Sequence, residues 1–273
     1  MSPGRTRIVI IGHLGFETVQ TPFAQRRGPG GSAYYTALGA ALSGGDVSLV
    51  STVGSDFSLD TLREAGVDLS HVSVARGASS RFDIKYLPTF ADRLIELDLG
   101  VGSMLTVPES LDYSVVKFVH VATNLPQTQV ELIEQLRILA PETTVTADCF
   151  DQFVVSYPKA TCRVVQSADL VFANLVEYQM IVRMCGPITT PMVVKKGERG
   201  ADYRFGTESV TVTAPAVQLV DPTGAGDAFA GAYLVHLAQG ADQASALRAA
   251  CRIGAAAVRS FGADSLLSLR RSS

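Results

Sequence analysis

The sequence predicts an α/β protein with a mostly parallel sheet, and three observations support that fold class. Short runs rich in β-branched residues recur, helix-like segments lie between several of them, and 24 glycines indicate many tight turns. Strands that alternate with helices form parallel sheets covered by helices on both faces. The predicted strands are residues 8–11, 47–53, 118–121, 144–147, 170–173 and 192–194.

Helical segments are predicted between and after these strands. They are residues 32–42, 129–139 and 228–239. Gly240 is the expected C-terminal stop of the last of these, and Asp242 is the expected N-cap of a further helix that runs to about Val258. Ligands of parallel sheets bind beyond the carboxyl ends of the strands, so residues that directly follow the apolar runs are the candidates for a site.

Length and composition fit one large domain. The 273 residues, 47% of them apolar, suffice for a sizeable core, and the net charge of -3 gives no reason to expect nucleic acid as a partner. The apolar run at residues 8–11 is too short to span a membrane, so a cytoplasmic protein without a membrane partner is expected. Cys149, Cys162, Cys185 and Cys251 show no pairing or metal-site spacing, so four reduced thiols are expected.

One segment breaks the alternation of strands and helices. Residues 81–87 and 93–99 each alternate apolar and polar side chains, and residues 88–92 separate them. This pattern predicts an antiparallel hairpin with one apolar face. That face would lie at an edge of the main sheet, over a ligand as a lid, or in a dimer contact.

Residues 221–227, with the sequence D-P-T-G-A-G-D, carry the most chemical information. Their two glycines leave a bare backbone that a ligand can approach closely, and an apolar helix begins directly afterwards. The first amides of a helix suit a phosphate group, and Asp227 at this end is placed to accept the proton of an attacking hydroxyl. The alternative is an ordinary turn with Asp227 as an N-cap.

This segment resembles the C-terminal signature D-T-x-G-A-G-D of the ribokinase-like, or pfkB-type, carbohydrate kinases, with Pro222 at the second position. The resemblance implies that Asp227 is the catalytic base. The residues whose amides would form the anion hole are Gly224, Ala225 and Gly226. The resemblance also implies a ribokinase-like three-layer α/β/α fold in a single domain over residues 1–273. A small β lid from about residues 13–29 and 80–100 is part of that expectation.

Weaker matches follow in the family's order along the chain. Asn174 and Glu177 directly follow a predicted strand as N-x-x-E, a motif associated with Mg²⁺ and phosphate, so Glu177 is expected to act on Mg²⁺ indirectly. Residues 259–263 resemble the loop beside the adenine. In many members that loop binds a monovalent cation together with the residue that corresponds to Asp221, so K⁺ is a candidate cofactor beside ATP and Mg²⁺. The residues expected to contact ATP are Asn174, Lys195, Gly197, Gly200 and Thr223.

The acceptor pocket is expected near the first strand. Gly30 and Gly31 resemble the family's first signature, in which the glycine pair lies against the sugar. Glu17 stands where many members carry an Asp that binds sugar hydroxyls, so a carboxylate remains but reaches one methylene further. His13 and Tyr34 are further candidates for this pocket, with local hydrogen bonding and helix packing as the respective alternatives.

The resemblance spans about residues 8–263 and implies an ATP-dependent, Mg²⁺-requiring kinase that phosphorylates a hydroxyl of a small sugar or cyclitol such as inositol. A nucleoside kinase of the same family is the alternative, and a catalytically silent sugar- or nucleotide-binding regulator is the non-enzymatic one. A kinase of the ADP-dependent branch of the same superfold is a further enzymatic alternative, but chains of that branch are usually much longer, so ATP is the expected phosphoryl donor. The sequence contains no G-x-x-x-x-G-K-[ST], which argues against a P-loop enzyme, and no complete G-x-G-x-x-G, which argues against a Rossmann dehydrogenase. A homodimer formed through the lid is also expected.

Overall fold

The computed structural model describes residues 6–88, 90 and 93–269. Among these residues, nine strands form one sheet in the order β13-β12-β11-β10-β9-β8-β1-β4-β5, and four form a second sheet in the order β3-β2-β6-β7. The strands are β1 Arg7–Ile11, β2 Gly15–Gln20, β3 Gln25–Gly30, β4 Val47–Gly54, β5 Asp68–Ala75, β6 Ser80–Tyr86, β7 Arg93–Asp98, β8 Val116–Val121, β9 Thr144–Asp148, β10 Leu170–Asn174, β11 Met192–Lys195, β12 Ala201–Phe205 and β13 Glu208–Val212.

The main sheet confirms the predicted parallel architecture. In the spatial order of this sheet, every pair of neighbouring strands between β5 and β11 is parallel. The β11–β12 and β12–β13 pairs are antiparallel. The helices are α1 Ser32–Leu42, α2 Asp60–Glu64, α3 Pro126–Leu139, α4 Asp151–Ser156, α5 Pro158–Ser167, α6 Leu175–Cys185, α7 Ala225–Ala238, α8 Gln243–Ala257 and α9 Asp264–Leu269. None of the described helices is long and apolar enough to cross a membrane.

Strand β1 shows why the sheet needs helices on both faces. Its side chains alternate between the two faces, and all four residues from Ile8 to Ile11 are buried. Ile8 and Ile10 join the core cluster that includes α1, α7 and α8. Val9 and Ile11 join the cluster that includes α3, α5 and α6. The result is the predicted three-layer α/β/α arrangement.

Helices α1 and α7 touch through their backbones. A Cβ atom added to Gly39 of α1 would lie 2.2 Å from the carbonyl oxygen of Ala228, and one added to Gly231 of α7 would lie 2.1 Å from the carbonyl oxygen of Thr36. Only glycine allows so close an approach at these two positions. Both helices begin at loops that the sequence assigns to ligands, so this contact fixes those two loops relative to each other.

The predicted hairpin is present as β6 and β7. The two strands are antiparallel, with Phe82 opposite Leu97 and Ile84 opposite Ile95. The hairpin does not extend the main sheet, because β6 instead pairs in parallel with β2. In the turn between β6 and β7, the predicted connection at residues 88–92 includes residues 89, 91 and 92, which lie outside the described residues.

The expectation of four reduced cysteines is wrong. Cys162 of α5 and Cys185 of α6 form a disulfide with a Cα–Cα distance of 5.3 Å, whereas Cys149 and Cys251 are free and buried. Cysteines whose Cα atoms lie this close can be bridged without movement of the backbone. Helix packing brings together two residues 23 positions apart, a proximity that sequence spacing does not reveal.

Candidate active site

A cavity of about 340 Å³ lies between the main sheet and the second sheet. Its floor follows the carboxyl ends of the parallel strands, as expected for such a sheet: His13 follows β1, Asn124 follows β8, and Asp148 ends β9. Its roof is the apolar face of the second sheet. The roof side chains are Phe82, Ile84, Tyr86, Ile95, Leu97 and Leu99.

Asp227 lies in the cavity within the first turn of α7. Helix α7 begins three residues earlier than predicted, and its N-cap, Gly224, has a φ of 73°. A Cβ atom at Gly224 would fall 2.1 Å from the ring of Tyr35. No side chain among the described residues caps this helix. Gly224, Gly226 and Asp227 line the cavity, whereas Ala225 does not, and its amide donates to the Pro222 carbonyl at 3.3 Å.

Burial raises the pKa of Asp227 to about 7, and the nearby Asp148 carboxylate adds to the shift, while Lys195 and Arg93 oppose it. A carboxyl group with this pKa exchanges its proton readily near neutral pH. Such matching of pKa to working pH is what a general base requires. The electrostatics of the site therefore suit Asp227 to proton transfer, in addition to its position.

Lys195 and Asp148 form a buried ion pair on the cavity floor. The Lys195 Nζ atom lies 2.8 Å from Asp148 Oδ1 and 2.7 Å from Asp148 Oδ2. Burial alone would lower the pKa of Lys195, but Asp148, Glu177 and Asp227 raise it overall, so the ammonium stays charged. Asp148 is missing from the sequence prediction, although it directly follows the run at residues 144–147, where that prediction looks for site residues.

Asn174 and Glu177 form a capping box at the start of α6. The Glu177 amide donates to Asn174 Oδ1 at 2.9 Å, and Glu177 Oε2 accepts from the Asn174 amide at 2.6 Å. Glu177 Oε1 accepts from Asn174 Nδ2 at 2.7 Å and from the Asp151 amide at 3.1 Å. Burial raises the pKa of Glu177 to about 8. Both residues line the cavity, but the Glu177 carboxyl group is engaged by the protein.

The other residues assigned to ATP divide into two groups. Lys195, Gly197 and Thr223 line the cavity, and the Thr223 hydroxyl lies 3.0 Å from the hydroxyl of Tyr86 in the roof. Gly200 does not line it. It lies in the turn between β11 and β12, where an added Cβ atom would come within 1.9 Å of the Val212 carbonyl oxygen.

Glu17 of β2 is buried and hydrogen-bonded within the protein. Its Oε1 atom accepts from the Gly31 amide at 2.8 Å, and its Oε2 atom accepts from the Tyr35 hydroxyl at 2.9 Å. Burial raises its pKa to about 7. Glu17 and Gly31 line the cavity. Gly30 does not, but an added Cβ atom there would lie 2.1 Å from the Glu17 carboxyl carbon.

His13 and Asn124 face the cavity with unused polar atoms. Both side chains are buried, and the two ring nitrogens of His13 and the Nδ2 atom of Asn124 make no hydrogen bond of ordinary geometry among the described residues. Burial lowers the pKa of His13 and keeps the imidazole neutral, with a smaller opposite effect from Asn124. Tyr34, in contrast, lies in the core outside the cavity, edge-on to Tyr35.

Arg93 of β7 is a cationic side chain of the cavity that the sequence analysis does not identify. Its guanidinium carbon lies 5.2 Å from the centroid of the Phe150 ring, and its Nη2 atom lies 3.5 Å from Asp151 Oδ1. Its charge lowers the pKa of Asp227. The alternating pattern of β7 shows which face of the strand is apolar. It does not show that Arg93, the first residue of the strand, reaches Phe150 and Asp151 on the other side of the cavity.

Fold and site together define a small-molecule kinase with a hydroxyl group as acceptor. The pattern of the pfkB family of carbohydrate kinases matches residues 6–269. The chain therefore belongs to the pfkB family, and it is a phosphotransferase with an alcohol group as acceptor.

Several characterised proteins are similar to this chain. A cytidine kinase of Thermococcus kodakarensis is 28% identical over 85% of this chain and 89% of its own length. A ribokinase of Bacillus subtilis is 27% identical over 86% of this chain and 83% of its own. Among solved structures, the Burkholderia thailandensis nucleoside kinase in complex with inosine has a TM-score of 0.83 at 22% identity, covering 94% of this chain and 92% of that one. This last similarity establishes the shared ribokinase-like fold.

Proposed function

We propose that this protein is an ATP-dependent kinase that transfers the γ-phosphoryl group to a hydroxyl of a nucleoside. One observation carries the proposal: a single cavity joins a floor with Asp227, Lys195 and the bare turn of α7 to an apolar roof formed by the second sheet. The floor suits phosphoryl transfer, and the roof suits a flat apolar group. A free sugar of the ribose type is the second candidate acceptor.

In the proposed reaction, Asp227 accepts the proton of the acceptor hydroxyl. The hydroxyl oxygen then forms a bond to the γ-phosphorus while the bond from that phosphorus to the bridging oxygen breaks, and ADP leaves. The amides of Gly224, Ala225 and Gly226 would stabilise the negative charge on the transferring group. Lys195 and Arg93 add positive charge on the floor and at the roof, respectively.

ATP would bind on the side of the cavity that contains Thr223, Lys195 and Gly197. Mg²⁺ held by substrate phosphates needs only one or two protein carboxylates, and the Asp148 carboxylate faces the cavity. Mg²⁺ would neutralise phosphate charge. Glu177 would act on it indirectly, because its hydrogen bonds hold Asn174 and the amide of Asp151 in place.

The roof favours a nucleoside over a free sugar or a cyclitol. Sugars and cyclitols present hydroxyls on most of their surface, and a hydroxyl buried against apolar side chains loses its hydrogen bonds. A nucleobase offers a flat aromatic face to such a wall. The unused polar atoms of His13 and Asn124 supply donors and an acceptor for a base edge or a ribose hydroxyl. The similarity to a cytidine kinase supports the same choice.

We also propose that the second sheet, formed from residues within about 13–29 and 80–100, is the lid of the site. Phosphoryl transfer to a hydroxyl competes with transfer to water, so a closed roof favours the acceptor. The contact between Tyr86 and Thr223 supports this role, because it joins the roof to the segment that carries Asp227.

A coupled assay of ADP release with the purified protein tests the proposed function. Cytidine, uridine, adenosine, inosine, ribose, fructose and myo-inositol would be compared at equal concentration with ATP and Mg²⁺, with the Asp227→Asn variant as the background. A nucleoside should give the highest kcat/KM. Preference for ribose would make the second candidate the correct one. Absence of acceptor-dependent ADP release with all of them would support the silent regulator.

A further inference from the structure

Arg26 of β3 reaches from the second sheet to the C-terminal segment of the chain. Its Nη1 atom donates to the carbonyl oxygen of Phe261, and its Nη2 atom lies 3.1 Å from Asp264 Oδ1. The guanidinium lies so close to the loop that a Cβ atom added to Gly262 would be 2.1 Å from Nη1. A permanent positive charge thus lies against the backbone of residues 261–262.

The same loop is tied to the catalytic segment through Asp221. The Asp221 side chain is buried, its Oδ2 atom accepts from the Gly262 amide at 3.1 Å, and its Oδ1 atom accepts from the Thr223 amide at 2.9 Å. A continuous chain of contacts therefore leads from Arg26 through the loop and Asp221 to Thr223. Gly224 follows directly and begins the turn that presents Asp227.

This region does not fit a bound monovalent cation, which the family resemblance places between Asp221 and residues 259–263. A bound K⁺ needs a shell of oxygen atoms in place of its water. The small pocket whose lining includes Glu17, Arg26, Asp221 and Gly262 has a volume of only about 10 Å³, at the lower limit for one water molecule. The Phe261 carbonyl oxygen of the loop already accepts from Arg26.

We propose that Arg26 is a positioning residue that replaces a monovalent cation. Its guanidinium supplies a fixed positive charge in the small space that Arg26 and Asp221 both line, and it holds the loop that orients residues 223–227. Turnover is then independent of K⁺. This inference rests on the proposed kinase function for its kinetic consequences, but its structural consequence, the lack of a cation site, does not depend on turnover.

The first test measures the wild-type protein in KCl, NaCl and tetramethylammonium chloride at equal ionic strength. We expect kcat/KM to vary by less than about twofold and the melting temperature to be the same in KCl and tetramethylammonium chloride, because no site discriminates between these cations. Activation by KCl of more than about fivefold, or a melting temperature raised specifically by KCl, would overturn the proposal. The melting measurement stands even if no acceptor is phosphorylated, so the two proposals fail separately.

The second test compares Arg26→Ala, Arg26→Lys and Arg27→Ala. Arg26→Ala removes charge-assisted hydrogen bonds, so kcat should fall about 10- to 100-fold, with partial recovery in KCl and a KCl-dependent rise in melting temperature. Arg26→Lys should retain more activity than Arg26→Ala. Arg27 lies next along β3 and packs over Phe16, with 5.9 Å from its guanidinium carbon to the ring centroid. Arg27→Ala is therefore the matched control, and a similar loss of kcat in it would contradict the assignment.

Discussion

At the scale of single residues, the proposed chemistry depends on where Asp227 and Glu17 place their protons. Both carboxyl groups have a pKa of about 7 because the protein buries them. Their hydrogen-bond partners differ. Glu17 accepts from the Gly31 amide and the Tyr35 hydroxyl, whereas Asp227 faces the cavity beside the start of α7. The two groups therefore have similar pKa values but different expected roles: Glu17 holds Gly31 and Tyr35 beside the expected acceptor pocket, and Asp227 is the proposed base.

Replacement of Asp227 by Asn should reduce kcat by about 10²- to 10⁴-fold, because the amide cannot accept the hydroxyl proton. Binding of ATP, measured by calorimetry, should stay nearly unchanged. In the wild type, kcat/KM should decline as the pH falls through about 7, since protonated Asp227 is inactive as a base. A variant that keeps more than half of the wild-type kcat would exclude Asp227 as the base.

The same substitution should not destabilise the protein at pH 8. The pKa of Asp227 is higher in the folded protein than the ordinary value of 3.8. Its neutral form is therefore the one that folding favours, and this stability, present at acid pH, is lost as the pH rises through about 7. Asn is permanently neutral, so the variant should melt at or above the wild-type temperature. Thermal denaturation at pH 8 is the control that separates lost chemistry from unfolding.

Replacement of Glu17 by Ala should impair use of the acceptor rather than of ATP. It removes the partner of the Gly31 amide and the Tyr35 hydroxyl, and an unpaired buried polar group costs about 1–3 kcal/mol. We expect kcat/KM for the acceptor to fall roughly 5- to 150-fold and the KM for ATP to stay within about twofold. Tyr35→Phe breaks only one of these two hydrogen bonds and serves as the milder comparison. A change confined to the KM for ATP would place the acceptor pocket elsewhere.

At the scale of structural elements, the hairpin and the N-terminus of α6 each connect the floor of the cavity to its surroundings. The hairpin bonds to the floor through Tyr86 and Thr223. The start of α6 presents Asn174 to the cavity and holds it with the Glu177 carboxyl group. A change in either element can therefore alter the site without altering a residue that touches a reacting atom.

Tyr86→Phe should loosen the roof without removing its apolar surface. Loss of the hydroxyl contact with Thr223 should raise the ratio of ATP hydrolysis to acceptor phosphorylation, because water enters an incompletely closed site. The two products, free phosphate and phosphorylated acceptor, are measured in the same reaction. Tyr113→Phe is a matched control, since the Tyr113 hydroxyl donates to the Pro108 carbonyl at 3.0 Å and does not line the cavity. An unchanged ratio in Tyr86→Phe would remove this contact from lid closure.

Glu177→Gln should weaken the start of α6 and raise the Mg²⁺ concentration needed for half-maximal activity. The carboxyl group accepts from three N–H groups, whereas glutamine offers one oxygen and turns an NH₂ group toward a donor. We expect a loss of up to about 1–3 kcal/mol in the free energy of unfolding from the mismatched amide group, offset in part because glutamine is neutral and burial favours the neutral form of Glu177. An Mg²⁺ dependence equal to that of the wild type would show that the cap is structural only.

Sequence patterns predicted the elements better than the contacts between them. Helix α1 has the predicted bounds, Ser32–Leu42, because an uninterrupted helical stretch begins directly after Gly31. The alternation predicts the hairpin but not its pairing with β2, because no local pattern encodes a partner 65 residues away in the chain. For the same reason, no local pattern identifies Arg93, which belongs to the site only through the folded topology. Asp148 directly follows a predicted strand, so its position, unlike that of Arg93, is readable from the sequence.

At the scale of the whole molecule, the disulfide adds a covalent link between α5 and α6, on the face of the sheet that also packs α3. Closing a loop of this length removes entropy from the unfolded chain, and the expected contribution is about 3 kcal/mol. Reductant should therefore lower the free energy of unfolding of the wild type in urea. It should have no effect on a Cys162→Ser, Cys185→Ser double variant.

Thiol titration in denaturant without reductant gives an independent measurement. Two reactive thiols per chain are expected, from Cys149 and Cys251. Four would contradict the pairing. The homodimer through the second sheet stays a prediction, and analytical ultracentrifugation of the native protein without denaturant would test it.

The backbone contact between α1 and α7 has a consequence for how the protein moves. Gly39 and Gly231 let the backbones of the two helices meet in close contact, and we expect elements packed this tightly to move together. The loops at Gly30–Gly31 and Gly224–Gly226 should then keep nearly the same separation during turnover. The amides of α1 and α7 should be among the last to exchange with deuterium, and binding of either substrate should slow exchange in the second sheet instead. We therefore expect the floor of the site to stay fixed during turnover, while the second sheet above it moves to open and close the site.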